Sequence, residues 1–472
     1  MDERLSAPVF DAARRHGLEE DEVRRQLARL TATPTSVQPD SPCTVGCGIR
    51  RLTAAERSEF AQLGASLSPA RALRFVPASG AASRMFKALL AKDEGAVAQL
   101  NARWSEFPFR EGAEASGPCA SAEDKWSAVI ERLALHDLPK GALPFHTESQ
   151  GVFTAFEAQL HEWAQTLSTP GGHLHFTLPV NGFDSLLETI EKQAQALHIQ
   201  AEASIQHPST DTLALDEDGQ PFVLEDGTPL FRPGGHGALL RNLSDIAVSR
   251  PGTLVSVKNI DNVRPLRALD EVLPWRRALL GCAERLDRQR IAALHALGEG
   301  NTGPAQQWLR NGPHHPVEAP PSEATELVRA LDRPLLVAGM VRNEGEPGGG
   351  PFWIRDDEGA LRAQIVESAE MDIHNAGVRD CMGRATHFNP VDLVCAMHDA
   401  EGRPYDLSAF VDASRDFQVS KSHGGAPLKG LEHPGLWNGA MGRWNTVFIE
   451  VDAETFAPVK TVFDLLRPAH RA

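Results

Sequence analysis

The sequence of 472 residues has no apolar run near the ~20 residues that a membrane-spanning helix needs. It has no Lys/Arg-rich run and a net charge of −16, whereas proteins that grip nucleic acid through its backbone usually carry a basic face. The charged N-terminus lacks the apolar segment of a secretory signal. These absences predict a cytoplasmic protein that binds neither membrane nor nucleic acid. They leave room for a local basic pocket that binds a small phosphorylated substrate.

Cysteine is scarce, and no disulfide framework is expected in a reducing compartment. The six cysteines are Cys43, Cys47, Cys119, Cys282, Cys381 and Cys395. Cys43 and Cys47 are close enough to share a metal, but the second ligand pair of a zinc site is missing. Thiols in a loop are the simpler interpretation.

From about residue 71, short apolar runs alternate with helical stretches, which is typical of an α/β sheet with helices on its faces. The predicted strands cover residues 73–77, 173–178, 202–206, 253–257, 335–341, 361–366 and 446–451. Helices are predicted over residues 1–35 (one or two), 183–197 and 461–466. Residues 88–138 read as a helical insertion, and irregular linkers or loops are predicted at 34–50, 313–321 and 344–351.

The clearest motif is a strand, a loop of small residues and a helix start at residues 73–87. Residues 78–83 read Ala-Ser-Gly-Ala-Ala-Ser, so no bulky side chain keeps a phosphate from the backbone N–H groups. A helix from about Ser83 adds N–H donors and a positive dipole end, and Arg84 adds a planar cationic fork. The loop has neither the P-loop ending nor the Gly-x-Gly-x-x-Gly pattern. We predict a phosphate site of another kind, with a tight structural turn as the alternative.

Three later motifs suit such a site. Lys140 lies in a Pro-Lys-Gly turn, although a lone lysine there is more often a solvated surface residue. Residues 231–239 place three glycines before a predicted helix, where a base or phosphate can approach the backbone, or where a flexible turn is needed. Asp261 follows a predicted strand, and open α/β sheets bind ligands at the carboxyl ends of their strands. A carboxylate there suits Mg²⁺, and an Asx-turn is the alternative.

Histidines supply two weaker candidates. His173 and His175 lie on one face of a predicted strand. They are candidates for a metal pair, although a pair without a ligand is the simpler interpretation. His236, among the glycines of residues 231–239, is a candidate contact for a base or a sugar.

In the order of these motifs the chain resembles the sugar nucleotidyltransferases, above all the UDP-N-acetylhexosamine and UDP-sugar pyrophosphorylases. Those enzymes carry a Gly-Gly-x-Gly-Thr-Arg loop, a Pro-Lys, a Pro-x-Gly-x-Gly-Gly segment and a strand ending in Asp-Asn. From about residue 50 the chain also resembles a bacterial family catalogued as domain of unknown function 4301. That second resemblance, which names no activity, rests on residues 348–353, 387–390, 436–441 and 458–461.

The first resemblance implies an α/β fold of the nucleotide-diphospho-sugar transferase type, which is Rossmann-like with a mixed sheet and helices on both faces. A helical N-terminal extension and linker would cover residues 1–50. The nucleotide-binding core would cover residues 51–312, with the insertion at about 88–138, and a sugar-side C-terminal lobe at 313–472 would complete the sheet.

The resemblance also implies residue roles. Three residues would act on the reacting phosphates, namely Arg84, Lys140 and Asp261, and Asp261 would hold Mg²⁺. Those expected to contact the nucleotide are Ser79, Gly80, Ser83, Gln206, Gly235 and Gly237. Gln206 would meet the uracil edge, and the two glycines would let the base lie flat. Glu367 and Asn438 would contact the sugar.

The implied reaction is attack of a sugar 1-phosphate on the α-phosphate of a nucleoside triphosphate, for which we expect UTP, with release of pyrophosphate. It needs positioning and charge stabilisation rather than a general base. This agrees with the lack of an obvious Ser/His/Asp or Cys/His set.

The chain departs from the family pattern in several places. Ser79 and Ala82 stand where those enzymes usually have glycine, and no second metal ligand stands out. Lys140 comes far later after Arg84 than in those enzymes, so either residues 88–138 are an insertion or Lys87 takes its role. Two alternatives stay open: a non-catalytic nucleotide-binding module, and a glycosyltransferase that uses a nucleotide sugar. The latter normally has Asp-x-Asp, and the run after Asp261 lacks the second acid.

Overall fold

A ten-stranded mixed sheet forms the centre of the computed structural model, which describes residues 4–34, 36–312, 319–345, 348–356 and 358–471. The strands are β1 (Ser41–Pro42), β2 (Thr44–Val45), β3 (Gly48–Arg50), β4 (Ala72–Pro77), β5 (Pro144–Glu148), β6 (Gly151–Thr154), β7 (His173–Thr177), β8 (Gln200–Ser204), β9 (Asp211–Leu213), β10 (Phe231–Pro233), β11 (Leu254–Lys258), β12 (Leu335–Arg342), β13 (Gly350–Arg355), β14 (Leu361–Val366), β15 (His387–Phe388), β16 (Asp392–Ala396), β17 (Phe417–His423), β18 (Ala426–Glu432) and β19 (Asn445–Glu450).

The α-helices are α1 (Ala7–Arg15), α2 (Glu20–Thr31), α3 (Ala54–Ala65), α4 (Lys87–Leu90), α5 (Glu94–Ala102), α6 (Arg110–Ala115), α7 (Ala122–Ser127), α8 (Ala155–Thr166), α9 (Phe183–Ala196), α10 (Leu240–Ser249), α11 (Leu269–Gly298), α12 (Gly303–Asn311), α13 (Ala324–Leu331), α14 (Ala376–Gly383) and α15 (Pro468–Arg471). No helix among the described residues combines the length and hydrophobicity that a membrane crossing requires.

The central sheet has the strand order β2-β3-β19-β12-β16-β11-β4-β7-β8, with β15 paired to β12. β16 is antiparallel to both β11 and β12, and the other pairs along this path are parallel. Strands β4 and β11 are almost fully buried apolar runs, as parallel strands covered on both faces are. The carboxyl ends of β4, β7, β8 and β11 therefore meet at one edge of the sheet.

The two faces of the sheet are covered differently. Helices α3, α8, α9 and α11 pack on one face. Helix α10 and the three-stranded sheet β1-β13-β14 cover the other, through side chains such as Leu243 and Trp353. The second face thus also carries a helix, as expected, together with the strands β13 and β14.

The predicted strands all form, within a few residues of their expected bounds, although β14 joins the three-stranded sheet. Residues 88–138 are helical, as predicted, and include a π-helical turn at Ala128–Arg132. The predicted helix at 461–466 is a 3₁₀ helix, Val462–Leu466. Residues 313–318, 346 and 347, within two predicted loops, lie outside the described residues, and Gly350 and Pro351 begin β13 rather than continuing a loop.

More of the N-terminal region belongs to the folded core than the predicted linker implies. Helices α1 and α2 form as predicted and pack against Leu213, Leu215 and Phe231. Residues 41–50, predicted as part of a linker, instead supply β1, which pairs with β13, and β2 and β3, which form an edge of the central sheet. Burial of Cys43 and Ile49 explains the difference, because their side chains enter the core.

Two buried histidines predict how stability depends on pH. His146 Nε2 and His470 Nδ1 share a hydrogen bond of 3.0 Å. Burial, with the nearby charge of Arg264, lowers the pKa of His470 from 6.5 to about 4, and burial and its histidine neighbour lower that of His146. The unfolded histidine therefore binds a proton first as pH falls, so stability present above pH 6.5 is lost between pH 6.5 and about 4.

We expect His470 to account for about 3 kcal/mol of this loss. Urea unfolding of the His470→Asn variant between pH 7.5 and 4.5 should show a shallower decline than the wild type. His295→Asn, at an exposed histidine of α11, is the control. Equal slopes for wild type and His470→Asn would contradict the assignment.

Candidate functional site

The small-residue loop leaves β4 at the carboxyl edge of the sheet. Ser79 is half-buried, Gly80, Ser83 and Arg84 are exposed, and a Cβ on Gly80 would meet open space. The predicted helix start is wrong in form: residues Ala82–Arg84 make a single 3₁₀ turn before the one-turn helix α4. Such short elements have little macrodipole, so phosphate binding here depends on backbone N–H groups and on Arg84.

The departure at Ala82 has a structural reason. Its side chain is buried in the main core, and its N–H donates to the carbonyl of Leu138 at 3.0 Å. Ala82 thus lies on the inner side of the loop, where a methyl group packs, while Gly80 lies on the open side.

The helical segment of residues 88–138 returns the chain to this loop and brings Lys140 with it. Ala81 and Pro139 form an antiparallel bridge, and the N–H of Lys140 donates to the carbonyl of Gly80 at 3.2 Å. A Cβ on Gly141 would lie 2.4 Å from the ring of Phe156, so the turn needs glycine to pack on α8. The loop and the Pro-Lys-Gly turn, far apart in sequence, are therefore adjacent in space.

Two lysines converge on Asp261. Lys140 Nζ lies 2.7 Å and Lys460 Nζ 3.1 Å from Asp261 Oδ2. The Asp261 side chain is 8% exposed, whereas that of Lys460 is 62% exposed. We call these three residues the Lys-Asp-Lys cluster. Its net charge of one positive unit faces the edge of the sheet at which the phosphate loop also lies.

Lys460 was not among the predicted site residues, although it belongs to the segment 458–461 that carried the family resemblance. The C-terminal chain is held at the loop after β11, where the N–H of Val459 donates to the carbonyl of Asp261 at 3.1 Å. The Asp464 carboxylate then accepts the backbone N–H groups of Lys460 and Thr461 at 2.8 and 2.6 Å. These bonds fix the backbone from which Lys460 reaches Asp261.

The opposite charges of the Lys-Asp-Lys cluster stabilise one another. Burial alone would raise the pKa of Asp261, but the charges and hydrogen bonds of Lys140 and Lys460 bring it below its usual value of 3.8. Burial lowers the pKa of Lys140, and the charge of Asp261 opposes that shift. Asp261 is therefore ionised at neutral pH.

A buried charge network lies in the core near this edge. Glu162 of α8 accepts from Arg74 at 2.6 Å and from Lys258 at 2.5 Å, and Arg276 lies 3.4 Å away. Arg276 also pairs with Asp392. Burial raises the pKa of Glu162, but the three cations more than offset this and hold it low. Because Lys258 ends β11, this network fixes the strand from which the Asp261 loop departs.

The predicted sugar contacts meet around His236. The Glu367 carboxylate lies 3.4 Å from His236 Nε2, and the ring of Trp437 stacks on that of His236 at 4.4 Å. Burial raises the pKa of Glu367, but hydrogen bonds from His236, Asn438 and Trp437 hold it below its usual value. Asn438 is buried, and its Oδ1 has no hydrogen-bond partner among the described residues. Glu367 and Asn438 thus lie together with His236, which the sequence had marked.

The glycines of residues 234–237 pack against the chain. A Cβ on Gly235 would lie 2.6 Å from a Glu432 oxygen, and one on Gly237 would lie 2.2 Å from the carbonyl of Pro434. Close packing on residues 432–434 accounts for both glycines, so their contact with a base stays a prediction. Gln206 lies just past β8, and its buried Nε2 has no partner in the described part of the chain.

The donor set offers little for a metal held by protein alone. The described residues contain no group of three or more His, Cys, Asp or Glu side chains that could hold a metal ion. Neither the pair His173 and His175 nor the pair Cys43 and Cys47 belongs to such a group. Asp261 Oδ1 is buried and has no hydrogen-bond partner among the described residues. It fits Mg²⁺ only where substrate phosphates supply the other ligands, as Mg²⁺ sites commonly do.

The fold is that of nucleotidyltransferase-like pyrophosphorylases. A mutant UDP-glucose pyrophosphorylase from Leishmania major in complex with UDP-glucose shares 14% identity with this chain and has a TM-score of 0.51, over 99% of this chain and 80% of that one. An Entamoeba histolytica structure assigned as a UDP-N-acetylglucosamine pyrophosphorylase has 11% identity and a TM-score of 0.47, over 93% and 85%. A UDP-glucose phosphorylase from Trypanosoma brucei has 13% identity and a TM-score of 0.47, over 97% and 77%.

Residues 9–108 and 127–471 match the model of the family described as a domain of unknown function, DUF4301. The chain belongs to this family, as the sequence resemblance indicated. The unmatched residues between the two segments lie inside the helical insertion. No curated protein matches the chain in sequence.

Proposed function

We propose that the protein joins a sugar 1-phosphate to a nucleoside triphosphate, with UTP as the expected nucleotide, and releases pyrophosphate. The observation that carries this proposal is the convergence of Lys140 and Lys460 on Asp261 beside the loop after β4. A surplus cation beside exposed backbone N–H groups is the arrangement that a triphosphate needs. The solved relative from Leishmania major, which binds UDP-glucose, shares this fold.

In the proposed reaction, an oxygen of the sugar 1-phosphate bonds to the α-phosphorus of the triphosphate. The bond from that phosphorus to the oxygen bridging to the β-phosphate breaks, and pyrophosphate takes the electron pair. No proton transfer is required of the protein, because a phosphate monoester is already a nucleophile. Catalysis then consists of alignment and of stabilising negative charge.

The lysines suit the charge on the phosphates. Both ammonium groups share one carboxylate oxygen, so each keeps donors free for a phosphate oxygen. Lys140 is held by the loop itself, so a nucleotide that binds Gly80 and Arg84 places its α-phosphate near that lysine. Lys460, which is more exposed, is suited to the incoming sugar phosphate.

We propose that Mg²⁺ binds Asp261 Oδ1 together with substrate phosphate oxygens. When bound, it would neutralise phosphate charge. Asp261 also orients both lysines, so positioning of the substrates and the rest of the charge stabilisation belong to side chains of the protein.

On the sugar side, we propose that Glu367 accepts sugar hydroxyl groups and that Asn438 bonds to the sugar. His236 Nδ1 accepts the N–H of Leu436 at 3.1 Å, so in the neutral ring Nε2 carries the proton and donates toward Glu367. The ring of His236 is further fixed by Trp437. Glu367 is thereby held ionised as a hydrogen-bond acceptor.

Nucleotide choice is testable by thermal shift with UTP, CTP, GTP, ATP and dTTP. We expect UTP to stabilise the protein most, by mass action. Gln206→Ala should weaken UTP binding by roughly 2- to 10-fold, the value of one lost hydrogen bond. Gln200→Ala, at an exposed position on β8, the strand before Gln206, should bind UTP as the wild type does.

An equal shift from all five nucleotides, unaffected by Gln206→Ala, would contradict the uracil assignment. Binding of UTP without turnover of any sugar 1-phosphate would favour the non-catalytic binding module. Transfer of sugar from UDP-sugar to an acceptor, without formation of UTP from pyrophosphate, would favour a glycosyltransferase.

A further inference from the structure

A cavity of about 400 Å³ lies apart from the Lys-Asp-Lys cluster. None of the three cluster residues lines it. Its lining includes the rings of Phe107 and Phe145, both buried, and three arginines, Arg110, Arg267 and Arg471. Small-molecule sites have volumes of roughly 300–1,000 Å³ and combine apolar walls with a few polar groups. The cavity meets both criteria.

The charges on its lining favour an anion. The arginines outnumber the two lining carboxylates, Glu106 and Glu111. Each arginine has a carboxylate nearby: Arg471 pairs with Glu106, Arg267 lies 3.0 Å from Glu148, and Arg110 lies 3.6 Å from Glu111. The side chains of Arg267 and Arg471 are 39% and 44% exposed, so each retains donors for a ligand. Planar guanidinium groups match the oxygens of a phosphoryl group.

His470 forms part of the wall of this cavity. The residue is 3% exposed, and its Nδ1 shares a hydrogen bond with His146. The ring is thus a fixed part of the wall, and the guanidinium groups are the donors that a ligand reaches.

The cavity walls continue the three segments that build the cluster. Strand β5, with Phe145, follows the turn of Lys140. Arg267 follows the loop of Asp261 by a few residues. The C-terminal chain runs from Lys460 to His470 and Arg471. A ligand held between these walls would therefore contact segments that are continuous in sequence with all three cluster residues.

We propose that this cavity binds a small organic phosphate, with its phosphoryl group on Arg267 and Arg471 and its apolar part against Phe107 and Phe145. We further infer that its occupancy changes the affinity of the Lys-Asp-Lys cluster for nucleotide. This second part rests on the proposed function, and the binding itself does not.

Phenyl phosphate is the probe for binding, measured by calorimetry on the full chain, with inorganic phosphate and benzoate beside it. We expect phenyl phosphate to bind more tightly than either. Arg471→Ala should weaken it by about tenfold or more, the value of a charge-assisted hydrogen bond. Arg467→Ala is the matched control, because Arg467 lies on the same segment, is 62% exposed and does not line the cavity.

A second pair of variants fills the cavity. Val152 lines it and is 37% exposed, so Val152→Trp should abolish binding, whereas Val248→Trp, at an exposed position outside it, should not. No binding to the wild type overturns the proposal. Binding that both Arg471→Ala and Val152→Trp leave unchanged also overturns it. If both variants retain binding and saturating UTP abolishes it, the probe occupies the nucleotide site instead, and the proposal fails.

Coupling is tested by titrating UTP with and without saturating phenyl phosphate. We expect its affinity to change by roughly fivefold or more, the lower range of typical coupling, and this change to vanish in Val152→Trp. A change under twofold overturns the coupling. If UTP does not bind at all while phenyl phosphate does, the proposed function fails and the second site stands.

Discussion

Replacing Lys140 with methionine is expected to lower kcat for pyrophosphate release by ~10²–10³, the usual effect of removing one donor from developing charge in a transition state. Lys140 is the cation that the loop backbone itself positions, through its N–H bond to Gly80. Methionine keeps much of the length of the side chain and removes its charge. Steady-state kinetics with UTP and a sugar 1-phosphate, on protein of unchanged thermal stability, measures the effect.

Lys87→Met is the matched control, since Lys87 is the other lysine that the sequence offered for this role. Lys87 is exposed at the start of α4. We expect its variant to keep nearly full activity and Lys460→Met to show an intermediate loss. A large loss in Lys87→Met with a small one in Lys140→Met would assign the phosphate lysine to residue 87.

Replacing Glu162 with glutamine is expected to lower the free energy of unfolding by about 3–5 kcal/mol, because it leaves buried cations without their counter-charge. Glu162 is 1% exposed and faces Arg74, Lys258 and Arg276. Burial already lowers the pKa of Lys258 well below its usual value, and loss of Glu162 removes the charge that opposes this shift. Urea unfolding at neutral pH measures the change.

Glu191→Gln, at an exposed position on the neighbouring helix α9, is the control and should alter stability by less than about 0.5 kcal/mol. If Glu162→Gln unfolds at the wild-type urea concentration, the network does not stabilise the fold as described. If Glu162→Met is as stable as the wild type or more stable, the fold tolerates loss of the negative charge at residue 162.

The sheet was largely predictable, because β4, β11, β12 and β19 are short, almost fully buried runs dominated by apolar residues. Strand β16 was missed, and with it the one antiparallel strand on the central path of the sheet. Its place between β11 and β12 depends on tertiary pairing that chain order does not reveal. The strands at residues 41–50 were missed for a similar reason, since proline and glycine there indicated a linker while partners distant in sequence made them strands.

The contact at the centre of the candidate site was not predictable from the sequence. Asp261 and Lys140 were each singled out, yet 121 residues separate them, and the bond between them depends on the bridge from Ala81 to Pro139. Lys460 lay in a segment that carried the family resemblance, but nothing around it in the sequence pointed to Asp261. The prediction of a helix dipole after β4 was wrong, because the small residues that suit a phosphate loop fold there as a 3₁₀ turn.

Release of pyrophosphate from UTP, in the presence of Mg²⁺ and a panel of sugar 1-phosphates, is the direct assay of the proposed function. We expect turnover with at least one sugar, formation of the matching UDP-sugar in equal amount, and loss of both in Lys140→Met. A wild-type protein that binds UTP but releases no pyrophosphate with any sugar 1-phosphate would contradict it.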